Sequence, residues 1–197
     1  MKIGIFGGAF NPVHTGHIRL AQNYLKALEL DRIIFIPTAV APHKSSGEFV
    51  SASDRFNMLS LATRGMSEFE ISDIEFKREG KSYTYDTLCE LKELYSDDEL
   101  YLIMGSDQFL SFASWYNPEK IANMATLCTA SRNDEDYEKL LEYKKQNSYL
   151  KDAVITDFAV FEISSSKLRA MIKNGEDISK FVPKAVEEYI KERELYV

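Results

Sequence analysis

The chain opens on a short apolar run, Ile3-Gly4-Ile5-Phe6, which breaks at Gly7-Gly8 and then passes into a helix-patterned stretch from His17. A strand that feeds a helix through so tight a turn cannot pair with its successor as a hairpin. Its sheet neighbour must lie parallel to it, reached by a crossover. The same alternation continues. Strands are expected at Lys2–Phe6, Arg32–Ile36, Glu70–Phe76, Leu100–Met104, Ala125–Ala130, Val154–Thr156 and Val160–Ile163. Helices are expected at His17–Leu28, Ser53–Arg64, Thr84–Tyr95 (with Thr84 as N-cap), Asp134–Gln146, Ser166–Lys173 and Pro183–Arg193. The first has Ile18, Ala21, Leu25 and Leu28 at helical spacing, whereas Arg32–Ile36 is a continuous β-branched and aromatic run suited to a strand covered on both faces. Thr38–Val50, with Pro42 and Gly47, reads as a loop. The expected fold is a doubly wound α/β domain spanning 1–197, its sheet parallel and its helices on both faces.

In such a sheet ligands gather beyond the carboxyl ends of the strands. The unusual residues fall there: Gly7–His17, Pro42-His43-Lys44, Gly105–Asp107 and Ser164–Arg169 each follow a strand. A net charge of -7 argues against a general nucleic-acid binder and requires local groups to attract anionic substrates. Cys89 and Cys128 have no metal-ligand spacing and read as reduced thiols. No signal peptide and no apolar run of about 20 residues is present, so the cytoplasm is expected and a membrane is not.

Gly7-Gly8-Ala9-Phe10-Asn11-Pro12-Val13-His14-Thr15-Gly16-His17 is built to approach a polyphosphate. Glycine brings backbone close to an anion, and the N–H groups of a turn and helix start can point at it. A Gly-rich turn alone serves packing in many α/β domains, and a lone His near a helix start is commonly a cap. The spacing His14-x-Gly16-His17 after Gly7-Gly8 is what favours phosphate. Walker A and G-x-G-x-x-G are both absent. Neither a nucleophile–base pair nor a His, Cys and carboxylate cluster for a dedicated metal cage stands out.

This segment resembles the motif of the H-x-G-H nucleotidyltransferase superfamily, and within it the bacterial nicotinate-nucleotide adenylyltransferase family. Ile163-Ser164-Ser165-Ser166-Lys167-Leu168-Arg169 is similar to that family's I-S-S-(S/T)-x-x-R motif. By itself the string also describes a capped surface helix with a solvated Arg. Gly105-Ser106-Asp107 resembles the family's G-(A/S)-D segment, although Asp107 is equally suited to a helix first turn. Ser82-Tyr83-Thr84-Tyr85-Asp86-Thr87-Leu88 and the sole tryptophan, Trp115, resemble its acceptor elements. Most tryptophans are core residues, but an indole face also stacks on a cationic pyridinium.

The resemblance implies a Rossmann-like fold and a reaction of ATP with nicotinate mononucleotide, giving nicotinate adenine dinucleotide and pyrophosphate. It implies His14, His17 and Arg169 as the catalytic groups. Gly7, Gly8, Ala9, Phe10, His14, His17, Gly105, Asp107, Ile163, Ser164, Ser165, Ser166 and Arg169 would bind ATP. Lys44, Tyr83, Thr84, Trp115 and Tyr116 would bind the mononucleotide. Mg²⁺ would arrive with ATP rather than on a protein cage. A homodimer is an expectation of the resemblance alone. Phosphopantetheine adenylyltransferase shares the first two motifs but lacks the Ser82–Thr84 and Trp115 elements, and a nucleotide-sensing module would have no need of every phosphate-handling position.

Overall fold

A computed structural model describes residues 1–39, 49–131, 133–158 and 163–197. Within them, six strands form one sheet: β1 (Lys2–Gly8), β2 (Arg32–Pro37), β3 (Phe69–Ile71), β4 (Glu99–Gly105), β5 (Thr126–Ala130) and β6 (Val154–Thr156). Every pairing is parallel and the order is β3-β2-β1-β4-β5-β6. The order reverses between β1 and β4, which is the switch point where a crevice opens beyond the strand ends.

Alternation along each strand explains the layers. Ile3 and Ile5 of β1, Ile34 and Ile36 of β2, and Leu100, Leu102 and Met104 of β4 pack on one face. Phe6, Ile33, Phe35 and Ile103 pack on the other. Both faces are apolar, so both must be covered. Helices α1 (Thr15–Ala27), α2 (Ala52–Ala62), α7 (Ser165–Lys173) and α8 (Lys184–Glu192) contribute Tyr24, Met58, Leu168 and Val186 to the second face. Helices α3 (Thr84–Leu94), α4 (Ser106–Leu110), α5 (Pro118–Met124) and α6 (Asp134–Gln146) contribute Leu88, Phe109, Ile121 and Leu140 to the first. Gly4 is needed for this packing, because a Cβ there would stand 2.9 Å from Ile33 Cγ1.

The spans of α6 and β6 match the sequence reading to the residue. β1 runs on through Gly8 where the sequence reading ends it at Phe6, and other details differ. The expected strand Glu70–Phe76 stops at Ile71, and Ile74–Lys77 curls into a 3-10 turn that buries Glu75. Thr84 is the first helical residue of α3 rather than its cap, the cap position being Tyr83. The strand expected at Val160–Ile163 lies mostly outside the described residues, as do Pro42, His43 and Lys44. Cys89 and Cys128 are free thiols.

Candidate active site

The turn that leaves β1 is fixed from three sides. Phe10, buried and in the left-handed backbone region at φ 46, packs edge-on against Phe6 at 5.5 Å and His17 at 5.0 Å. Gly8 makes room for that ring, since a Cβ at Gly8 would lie 3.1 Å from Phe10 Cζ. The buried Arg55 of α2 donates from Nη1 to the Ala9 carbonyl at 2.9 Å. From α7, Arg169 Nη1 donates to the Asn11 carbonyl at 3.0 Å and Ser165 Oγ to the Pro12 carbonyl at 2.9 Å. The turn and the start of α7 are therefore one unit, although more than 150 residues separate them in sequence.

His14 is the N-cap position of α1, and its ring stacks on His17 with centroids 3.6 Å apart. His17 Nδ1 accepts the His14 backbone N–H at 3.2 Å. That bond holds the neutral imidazole in the tautomer whose proton is on Nε2. Gly16 is small because the His14 ring lies over it: a Cβ there would meet His14 Nδ1 at 3.0 Å and Ile163 Cγ2 at 3.6 Å. The G of H-x-G-H is thus a packing requirement of the first histidine. Burial lowers the His14 pKa to about 4. Burial, and then the neighbouring His14, hold His17 well below the ordinary imidazole range. Both rings are therefore neutral near pH 7, and an anion beside them would favour the charged form.

One sequence expectation is corrected here. The N–H groups at the start of α1 are not all left for an anion. Thr15 N–H donates to the Phe181 carbonyl at 2.8 Å, and His14 N–H is taken by His17. Buried N–H groups must be satisfied within the protein. The serines of α7 are likewise divided among tasks. Ser164 Oγ caps the helix by accepting from Lys167 N–H at 3.2 Å, Ser165 ties down Pro12, and Ser166 Oγ accepts from Arg169 Nη2 at 3.3 Å.

On the opposite face of the sheet lies a cavity of about 510 Å³. Its walls include Gly7 and Gly8 from the end of β1, Ala9 from the turn, Tyr83 and Thr84 from the start of α3, and Trp115 and Tyr116. A Cβ on Gly7 would meet nothing within 4 Å, so that glycine leaves open space on the cavity wall. Trp115 is half-buried, its ring 5.2 Å from Phe112, and Tyr116 stands 5.1 Å from Tyr83. The indole is neither sealed in the core nor loose on the surface. Gly105 caps α4 and the exposed Asp107 sits in its first turn, beyond β4.

The turn, Ile163–Arg169, Gly105–Asp107 and the Tyr83, Thr84, Trp115 and Tyr116 set sit at or beyond the strand ends. Lys44 lies outside the described residues. Sequence reasoning missed Arg55, Asn11 and Glu75. Glu75 lines the cavity with 6% of its surface exposed, accepts from Thr87 Oγ1 at 2.9 Å, and has its pKa raised by burial. Charged residues are expected outside, so only the surrounding packing reveals them.

Comparison with known proteins follows the same lines. A family model described as cytidylyltransferase-like matches residues 5–171. The probable nicotinate-nucleotide adenylyltransferase of Carboxydothermus hydrogenoformans is 40% identical over 198 residues, covering 99% of this chain and 98% of that protein. Its counterpart from Dictyoglomus thermophilum is 38% identical, with 100% of both chains covered. The solved structure of Plasmodium falciparum nicotinic acid mononucleotide adenylyltransferase complexed with NaAD shares the fold at TM-score 0.83. It is 22% identical and the match covers 99% of this chain and 97% of that one.

Proposed function

Since the chain belongs to the cytidylyltransferase-like family, and within it to the nicotinate-nucleotide adenylyltransferases, we infer that it transfers the adenylyl group of ATP to nicotinate mononucleotide. The products are nicotinate adenine dinucleotide, a step of NAD biosynthesis, and pyrophosphate. The observation that carries this reading is the position of Gly7–Ala9. These residues form one wall of the aromatic cavity, and the same turn runs on into His14 and His17. A nucleotide on the α1 and α7 side and an acceptor in the cavity would meet across that turn.

A phosphate oxygen of the mononucleotide attacks the α-phosphorus of ATP. A new O–P bond forms as the bond to the β-phosphate oxygen breaks, and the electron pair leaves with pyrophosphate. The attacking oxygen is already anionic, so the work is alignment and charge stabilisation. His17 Nε2–H, held in its tautomer by the His14 amide, meets the phosphate that gains charge. Arg169, braced against Asn11 and Ser166, clamps the triphosphate with His14. Gly7, Gly8, Ala9 and Phe10 provide close backbone approach. Ile163, Ser164, Ser165 and Ser166 bring the start of α7 to the nucleotide, and Gly105 and Asp107 take its ribose. Trp115, with Tyr83 and Thr84, stacks on and lines the pyridine ring, and Lys44 serves the acceptor phosphate.

The nucleotide substrate is MgATP. Its cation is proposed to be carried on phosphate oxygens and water, as Mg²⁺ prefers. No helix among the described residues is long and apolar enough to cross a membrane. We place the enzyme in the cytoplasm as a homodimer, a state that sedimentation at micromolar concentration tests.

Pyrophosphate release measured with ATP and a panel of acceptors tests the reaction. Nicotinate mononucleotide is expected to be turned over at least ~100-fold better in kcat/KM than its amide, because the carboxamide NH₂ would face donors such as the Tyr116 amide and leave two polar groups unpaired. Turnover of phosphopantetheine instead would overturn the assignment. Comparable use of acid and amide would overturn only the preference.

A further inference from the structure

The segment after α8 returns to the phosphate turn. Tyr196 Oη donates to Asn11 Oδ1 at 2.8 Å, across 185 positions of sequence. Asn11 is 2% exposed, and the same Oδ1 also accepts from Val50 N–H at 3.3 Å. The main-chain carbonyl of that Asn11 receives Arg169 Nη1. One buried residue therefore joins Tyr196, the chain entering α2, and the guanidinium assigned to the triphosphate. Tyr196 itself holds φ 68, a left-handed conformation costly for a bulky side chain and kept only where surrounding contacts demand it. Burial raises the Tyr196 pKa, with Arg169 and Arg55 pulling the other way, so the hydroxyl remains a donor lying in the field of both guanidiniums.

We propose that Tyr196 is a positioning residue for the phosphate site, its hydroxyl fixing Asn11 and, through the Asn11 carbonyl, the guanidinium of Arg169. The idea rests on the reading of Arg169 as the triphosphate clamp. A bidentate guanidinium is effective only in a narrow orientation, and a small misplacement of a positioning group lowers rate more than it lowers folding stability. The acceptor cavity lies on the other face of the sheet, and Tyr196 has no contact there. Loss of the hydroxyl should therefore register on ATP and on turnover, and leave the mononucleotide untouched.

The test is a double-mutant cycle on the whole chain: Tyr196→Phe, Arg169→Ala and the pair, with kcat and both KM values measured and thermal midpoints recorded alongside. Tyr196→Phe should lower kcat/KM for ATP by about five- to tenfold, the equivalent of one hydrogen bond, with KM for nicotinate mononucleotide within about twofold of the parent. In the Arg169→Ala background the same substitution should change kcat/KM by less than about twofold, because the group it positions is gone. Arg169→Ala impaired and Tyr196→Phe unchanged would overturn the proposal. So would an equal fractional loss from Tyr196→Phe in both backgrounds, the mark of a general structural contribution. If Arg169→Ala alone has no effect, the reading of Arg169 as the clamp is at fault, and the proposal falls with it.

Discussion

Replacing His14 by Gln should flatten the acid side of the stability curve. The ring is 6% exposed, stacked on His17, and its Nδ1 has no hydrogen-bond partner among the described residues. Burial lowers its pKa from 6.5 to about 4, whereas the unfolded chain restores about 6.5. Between those values the unfolded state binds a proton that the folded state refuses. Stability therefore rises with pH through the window and is lost as pH falls from about 6.5 towards about 4. At about pH 5 the unfolded imidazole is almost fully protonated and the folded one almost fully neutral. Integrating from about pH 7 gives a loss of about 2 kcal/mol from this one group. Gln cannot titrate, and removing His14 also relieves one of the two causes that depress His17. Urea unfolding of parent and His14→Gln at about pH 7, 6 and 5 measures the difference directly. The two curves should separate by at least about 2 kcal/mol at the acid end. Parallel curves would refute the buried neutral histidine.

Three further outcomes follow from the geometry. Gly16→Ala would set its Cβ 3.0 Å from the His14 ring, so kcat should fall. Equal activity would show that His14 can move aside. Arg169→Lys keeps the charge but cannot reproduce a guanidinium that reaches both the Asn11 carbonyl and Ser166; a fall on the order of 100-fold in kcat/KM for ATP is expected, and near-normal values would make Arg169 a distant charge only. Titrating nicotinate mononucleotide without ATP should quench the fluorescence of Trp115, the sole tryptophan, in a saturable way, and an unchanged spectrum with binding confirmed by calorimetry would remove the indole from the acceptor site.

The elements with strong local signals were readable from the sequence. Asp134–Gln146 has a capping Asn133, three acids in its first turn and lysines in its last, and it folds as read. The strand ends that gather the motifs were readable too, because parallel alternation dictates where they emerge. Glu70–Phe76 misled, since a run of alternating residues looks like a strand. Its second half instead turns back to bury Glu75 beneath Thr87. The divided duties of Ser164, Ser165 and Ser166 had no local mark, because the partner of Ser165 is a carbonyl 153 positions away. Arg55 and Tyr196 were invisible for the same reason: each acts on the turn from a distant part of the chain.

On the proposed reading, the two faces of the sheet serve largely different substrates. Residues 7–17 and 163–169 are proposed to serve the nucleotide, joined by Gly105 and Asp107 at the end of β4, while the proposed acceptor wall is drawn from the start of α3 and the stretch around Trp115. Gly7–Ala9, at the end of β1, borders both. An evolving lineage can therefore redesign one half without disturbing the other. Retargeting this scaffold to a different phosphorylated acceptor would call for new side chains at Tyr83, Thr84, Trp115 and Tyr116, all inherited on short segments at the ends of fixed elements. A protein engineer has the same freedom, and the same boundary: bulk at Gly7 would enter the open space of the cavity wall, and bulk at Gly8 would press on the Phe10 ring.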